Sequence, residues 1–200
     1  NSFMREFVEG LRYLIIENRT ALALVILAIG PLAFAFSYIT LLPVLVTDVL
    51  KANASSFGAI QSVGAIGALL GGFWLASSSH VNGKGWIMLS TATVYGGAVI
   101  AFGNVKWMMA AFIISIVIGA SQTIFRAANN STLLGITPQR FQGRVISITS
   151  LDTGFQSVAA IFAGIITDAY NVSIGMAILG GVCLLIVGII GVGFPSVRKL

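Results

Sequence analysis

The stretch SIGMAILGGVCLLIVGIIGVGF, residues 173–194, decides the fold. Its 22 residues carry no charged side chain, and Cys183 is the most polar group in its interior. A bilayer core about 30 Å thick is crossed by about 20 apolar residues wound as an α-helix, which rises about 1.5 Å per residue. A helix on the surface of a soluble domain needs one apolar stripe and a wetted back. This one is apolar all round, and its natural solvent is lipid.

Working outward, runs of the same kind lie at 145–167, 107–133, 86–102, 56–77 and 20–46. The breaks between the runs, at 47–55, 78–85, 103–106, 134–144 and 168–172, are polar and rich in turn formers. The runs are too long for the strands of a barrel and lack apolar–polar alternation. The reading is therefore an all-α membrane protein of six transmembrane helices, here called spans 1 to 6 in chain order. Composition agrees. The 200 residues are 57% hydrophobic and 8% charged, with mean hydropathy +0.99, whereas a soluble domain has about 25% charged residues to wet its surface.

The net charge of +5 and pI of about 9.8 do not indicate nucleic acid, because the basic residues stand singly between apolar blocks and form no stripe. They serve better as topology signals. Six crossings place both termini on one side, and Arg5, Arg12, Arg19, Lys84, Arg140, Arg144, Arg198 and Lys199 fall there, with only Lys51 and Lys106 opposite. Basic residues gather on the cytoplasmic side, so both termini are expected in the cytoplasm of a cell-membrane protein. One cysteine, Cys183, and one histidine, His80, exclude an internal disulfide and a His/Cys metal site; no cofactor is expected. Trp74, Trp86 and Trp107 lie near span ends, where indole rings favour the interface. Gly64, Gly67, Gly71 and Gly72 in span 2 are read as packing residues.

Residues 1–19 read as a surface helix or a plain linker leading into the bundle. Phe7, Leu11, Leu14 and Ile15 share one helical face, and Arg5, Glu9, Arg12 and Glu17 are left to water. Residues 195–200 form the opposite tail.

Polar groups at depth carry the functional signal. In span 4, Ser115, Gly119, Gln122, Arg126 and Asn129 step by three or four and share a face, with Asn130 beside them. Span 5 repeats this with Thr149, Asp152 and Gln156. Arg126 and Asp152 each lie about nine residues, roughly 13 Å, from the cytoplasmic end of their helices. Each would cost about 2.5–3.5 kcal/mol against lipid, so a pair is expected, direct or through water. It either lines a substrate or proton path or fixes helix packing. Only Asp152 can exchange a proton, since arginine stays charged. In span 1, Gly30–Pro31 and Pro43 interrupt the helix. Ser37, Tyr38 and Thr40 follow at mid-depth, either lining the same cavity or bonding their own carbonyls.

LLPVLVTDVLKANASSFGAIQSVGAIGALLGGFWLA, residues 41–76, resembles the seventh-to-eighth helix region of the major facilitator superfamily. NNSTLLGITPQRFQGRVISITSL, residues 129–151, resembles its tenth-to-eleventh helix junction. The pattern from Pro138 to Gly143–Arg144–Val145, and Glu9–Gly10–Leu11–Arg12–Tyr13, are similar to the prokaryotic group that includes macrolide-efflux and enterobactin-exporter proteins. The resemblance implies the C-terminal half of a twelve-helix secondary transporter, built as two inverted three-helix repeats that rock around a central site. Its partners would be a small hydrophobic or siderophore-like substrate, protons, the bilayer and a missing N-terminal half. By the same analogy spans 1, 2, 4 and 5 line the cavity, and 3 and 6 lie outside. Span 3, with Ser90, Thr91, Thr93 and Tyr95, is more polar than that position requires.

Two rival readings are a free-standing six-helix channel or dimerising half-transporter, and an intramembrane hydrolase. Gly119–Ala120–Ser121–Gln122 is a partial nucleophile motif, but His80 stands in a loop away from Ser121. The chain opens on Asn1, which favours a fragment over the free-standing reading.

Overall fold

The computed structural model describes residues 8–77, 83–198 and 200; Arg5, Phe7, His80 and Lys199 lie outside them. Among the described residues there is no strand. Six helices are long and apolar enough to cross a membrane: Arg19–Val49, Ala54–Ser77, Lys84–Gly103, Met108–Ile136, Gln139–Ala169 and Val172–Gly193. The α-helical segments are numbered in order. Residues 8–12 form α1, Arg19–Ala28 α2, Tyr38–Val44 α3, Ala54–Ser77 α4, Lys84–Gly103 α5, Met108–Ile136 α6, Gln139–Thr149 α7, Asp152–Ala169 α8, Val172–Gly193 α9 and Pro195–Arg198 α10.

Two spans are not simple rods. Span 1 passes from α2 into a π-helical turn at Ile29–Phe34, a 3-10 turn at Ala35–Ser37, α3, and a second π turn at Leu45–Val49. Pro31 has no N–H to give and crowds the carbonyl a turn earlier, so the ladder widens there. The Ala35 N–H then donates to the carbonyls of both Gly30 and Pro31. Span 5 begins at Gln139 rather than at 145. The Gln139–Arg144 turn is too polar to register as membrane-soluble, yet it is helical. The same span is broken between Thr149 and Asp152.

The packing has an internal symmetry. Span 2 packs on span 4, and span 5 on the irregular middle of span 1. Span 3 packs on span 4, span 6 on span 1, and spans 3 and 6 on each other. Exchanging spans 1, 2 and 3 for 4, 5 and 6 turns each of these contacts into another of the set. Successive crossings alternate in direction, so the two triplets are inverted repeats.

Glycine sets the closest approach. A Cβ at Gly67 would run into the Ile116 backbone, one at Gly71 would stand 2.6 Å from the Ala120 carbonyl, and one at Gly119 would overlap the Gly64 carbonyl. The α4–α6 seam is thus backbone against backbone, which small residues permit in lipid.

One end of the bundle gathers the basic residues. There α1 and the π turn Tyr13–Glu17 dock on the start of span 5. The Tyr13 and Phe141 rings stack at 4.4 Å, and Glu9 meets Arg144 at 3.0 Å. Asn18 caps α2 by accepting from the Ala21 N–H, and donates to the Tyr13 hydroxyl and the Ile136 carbonyl. Tyr13 and Leu14 are buried, while Val8, Leu11, Ile15 and Ile16 are exposed. Of the apolar face at Leu11, Leu14 and Ile15, only Leu14 packs on the bundle. At the same end α10 turns back, with buried Val197 against Gly85 and the Arg198 guanidinium 6.0 Å from the Trp86 ring.

The polarity of span 3 is absorbed locally. Ser90 and Thr91 donate to the Ile87 carbonyl and Thr93 to that of Leu89. Tyr95 points inward and is fully buried.

Candidate functional site

The break in span 5 has a local cause. The hydroxyls of Thr149 and Ser150 both donate to the Ile146 carbonyl, at 2.8 and 3.0 Å. Such returns compete with the backbone ladder. The Ser150 N–H still reaches Ile146 and the Leu151 N–H only Ile148, and the ladder resumes with the Phe155 N–H on Leu151. A helix interrupted at membrane depth is stable only where it lines a cavity or meets protein.

A cavity is there. About 280 Å³ in volume, it is lined by Ala28 and Leu32 of span 1, by Arg126, Asn129, Asn130, Leu133 and Leu134 of span 4, and by Ile146, Thr149, Ser150, Asp152 and Thr153 of span 5. One wall is apolar and the other carries a cation, an anion, two amides and hydroxyls. Leu32 stands in the π turn at Pro31, so the proline-widened segment of span 1 forms part of the wall.

Of the site residues expected from sequence, the structure brings together Arg126, Asn129, Asn130 and Asp152. The two charges face one cavity without a direct bridge: no ion pair within 4 Å joins them among the described residues. Asn129 is 1% exposed, and neither atom of its amide has a hydrogen-bond partner. Leaving a buried amide unpaired costs about 1–3 kcal/mol, which makes it a poor packing residue.

The other four expected residues do not line this cavity. Ser37 is buried and donates to the carbonyls of Ala33 and Gln156, tying span 1 to span 5. Tyr38 turns its ring to span 3, 5.9 Å from Phe102 in an edge-on contact. Gln122 and Gln156 are partly buried, outside the cavity wall. The upper part of the span 4 stripe, Ser115 and Gly119, belongs to the α4 seam. Thr40 bonds the Ser37 carbonyl. The hydroxyl of Ser121 is likewise taken by the Val117 and Ile118 carbonyls.

Sequence reading missed Ser150, Thr153 and the break itself. The signal was present: Thr149–Ser150–Leu151–Asp152–Thr153–Gly154 is dense in side chains that cap or interrupt helices.

A family model described as a transmembrane secretion effector, of the major facilitator type, matches residues 1–199. The chain belongs to the major facilitator superfamily. Six all-α crossings in two inverted triplets are the architecture expected of half such a transporter, and this major facilitator chain is a multi-pass membrane protein of the transporter class. The match covers nearly the whole major facilitator chain and stops short of the macrolide-efflux and enterobactin-exporter group. No curated protein matches it.

Proposed function

We propose that the chain is the C-terminal half of a proton-coupled exporter, moving a small hydrophobic or siderophore-like molecule across the cell membrane by alternating access. The observation that carries this reading is the cavity shared by Arg126, Asn129, Asn130 and Asp152 between spans 1, 4 and 5. An aqueous pocket with one titratable group and an apolar wall suits both a proton and an oily cargo. Asp152 is the proton-exchanging group in this reading, and Arg126 is the fixed charge that holds the pocket wet.

Spans 2 and 5, equivalent in the two repeats, are each only 17% buried across their apolar windows. Two such flanks are what a second six-helix unit would cover. A second copy of this chain would cover them too, and the mass of the purified complex separates the two partners. The basic end of the bundle is assigned to the cytoplasm, which membrane-impermeant labelling of Lys84 against Lys106 in sealed vesicles checks.

The decisive assay is export of hydrophobic drugs and siderophores by cells making the complete transporter, at two external pH values. Asp152→Asn should lose the pH dependence and Arg126→Gln should lose export. Wild-type export with unchanged pH dependence in both variants would remove the reading.

A further inference from the structure

Span 6 carries a groove that the packing of the chain itself does not explain. About 710 Å³ in volume, it runs over Gly181 and Gly188 of α9 and is walled by Leu184, Leu185, Ile189 and Val192. Glycine weakens a helix through backbone entropy, so each one inside a span needs a compensating use. Gly180 has one, because a Cβ there would stand 2.5 Å from the Gly96 carbonyl of span 3. At Gly181 and Gly188 a Cβ would meet nothing within 4 Å. The room they leave is for something outside the chain.

The shape of the groove selects a thin occupant. Close approach of a second helix needs small residues four apart, but four positions beyond the two glycines stand Leu185 and Val192, 67% and 76% exposed. These side chains hold a neighbouring backbone away and leave space for a hydrocarbon chain between them. From Gly181 to Gly193 the helix rises about 18 Å, close to one leaflet of a core about 30 Å thick.

The groove ends where the basic residues gather. Spans 3 and 6 are antiparallel, with Leu89 and Gly96 turned to Gly191 and Gly180. Gly85, three turns before Gly96, shares that face and meets Val197 of α10. One residue further along a helix is a rotation of about 100°, and in antiparallel neighbours it leads to the same side of the pair. Trp86 and Gly181 therefore stand on one flank. Trp86 is 60% exposed there, with the Arg198 guanidinium 6.0 Å from its ring. Among the described residues Arg198 has no ion-pair partner. Indole rings favour the interface, and a cation at that level attracts anionic headgroups.

We propose that the span 6 groove is a site for one anionic phospholipid, with an acyl chain over Gly181 and Gly188 and the phosphate at Arg198 beside Trp86. The site uses only the outer side of the bundle and stands apart from the transport reading.

The test offers the full-length protein equal amounts of dioleoyl phosphatidylglycerol and dioleoyl phosphatidylcholine in mixed micelles and weighs the complexes by native mass spectrometry. The wild type should retain phosphatidylglycerol about fivefold or more over phosphatidylcholine, the scale of one basic residue at a membrane surface. Arg198→Gln should bring the two lipids close to equal retention. Gly188→Leu, whose Cβ enters open space, should lower retention of both about fivefold, as when one or two methylene groups lose their burial. Equal retention of the two lipids by the wild type would overturn the proposal, as would an unchanged preference in Arg198→Gln or unchanged retention in Gly188→Leu. A wild-type dimer that Gly188→Leu disperses would give the groove to a second copy of the chain and also overturn it. The wild-type preference is read without either variant, so a variant that fails to fold leaves the test intact.

Discussion

Glu9 and Arg144 meet at 3.0 Å, fastening the helix that precedes span 1 to the first turns of span 5. Both side chains are part-exposed, so the charge pair itself contributes little, about 0.2–1 kcal/mol. The stronger part of the attachment is the buried Tyr13 ring stacked on Phe141. Tyr13→Ala should therefore lower stability by about 2–4 kcal/mol, by truncation of a buried aromatic, and Glu9→Ala by under about 1 kcal/mol. Unfolding of the detergent-solubilised protein, followed by helical signal, compares them. Equal losses would show that the ring is not the anchor.

The glycine seam between spans 2 and 4 makes a paired prediction. Gly119→Val places a side chain against the Gly64 backbone, and over-packing of this kind costs about 1–3 kcal/mol or more. Gly97→Ala, in span 3, meets nothing within 4 Å and should stay within about 0.5 kcal/mol of wild type. Melting temperatures of the two variants check the contrast.

Arg126 and Asp152 share a cavity without touching, so their mutual energy should be small. In a double-mutant cycle on stability, residues in contact couple by about 0.5–3 kcal/mol. Here the coupling should fall at or below the bottom of that range and shrink further with added salt, as water-exposed charges do. A coupling of about 2 kcal/mol, insensitive to salt, would mean that the two side chains close on each other.

Asn129 stands buried with neither amide atom hydrogen-bonded. Replacing an unpaired buried amide by an apolar group of similar size removes a desolvation penalty of about 1–3 kcal/mol. Asn129→Leu should melt at a higher temperature than wild type. A variant that is destabilised would show that the amide has a partner in the resting protein.

Why some of this could be read from sequence and some not has a physical basis. The six crossings were legible because lipid imposes length and composition on each span separately, as in 173–194, without reference to neighbours. Arg126, Asn129, Asn130 and Asp152 were legible as a group because charges and amides at mid-depth must all find polar company. Ser37 and Tyr38 looked equivalent to them and are not. Periodicity tells which way a side chain leaves its own helix axis, not whether the next helix or a cavity lies there, and Ser37 leaves toward the Gln156 carbonyl. Gly119 sits on the polar face of span 4 for a similar reason: the face turns from cavity wall to helix seam along its length. The interruption after Thr149 was hidden because window averages record apolar content, whereas the break arises from two hydroxyls turned onto one carbonyl.

Those returned hydroxyls have a wider implication in span 3. Thr93 directs its hydroxyl to Leu89 within its own helix, and Thr91 directs its own to Ile87. What such a residue shows to its surroundings is mainly a methyl group, so at Thr93, which faces outward, threonine and valine become nearly interchangeable to the lipid. An outer helix built this way is free to drift toward hydroxyl-bearing residues over generations without gaining any affinity for water, and a hydropathy plot will mistake that drift for a channel lining.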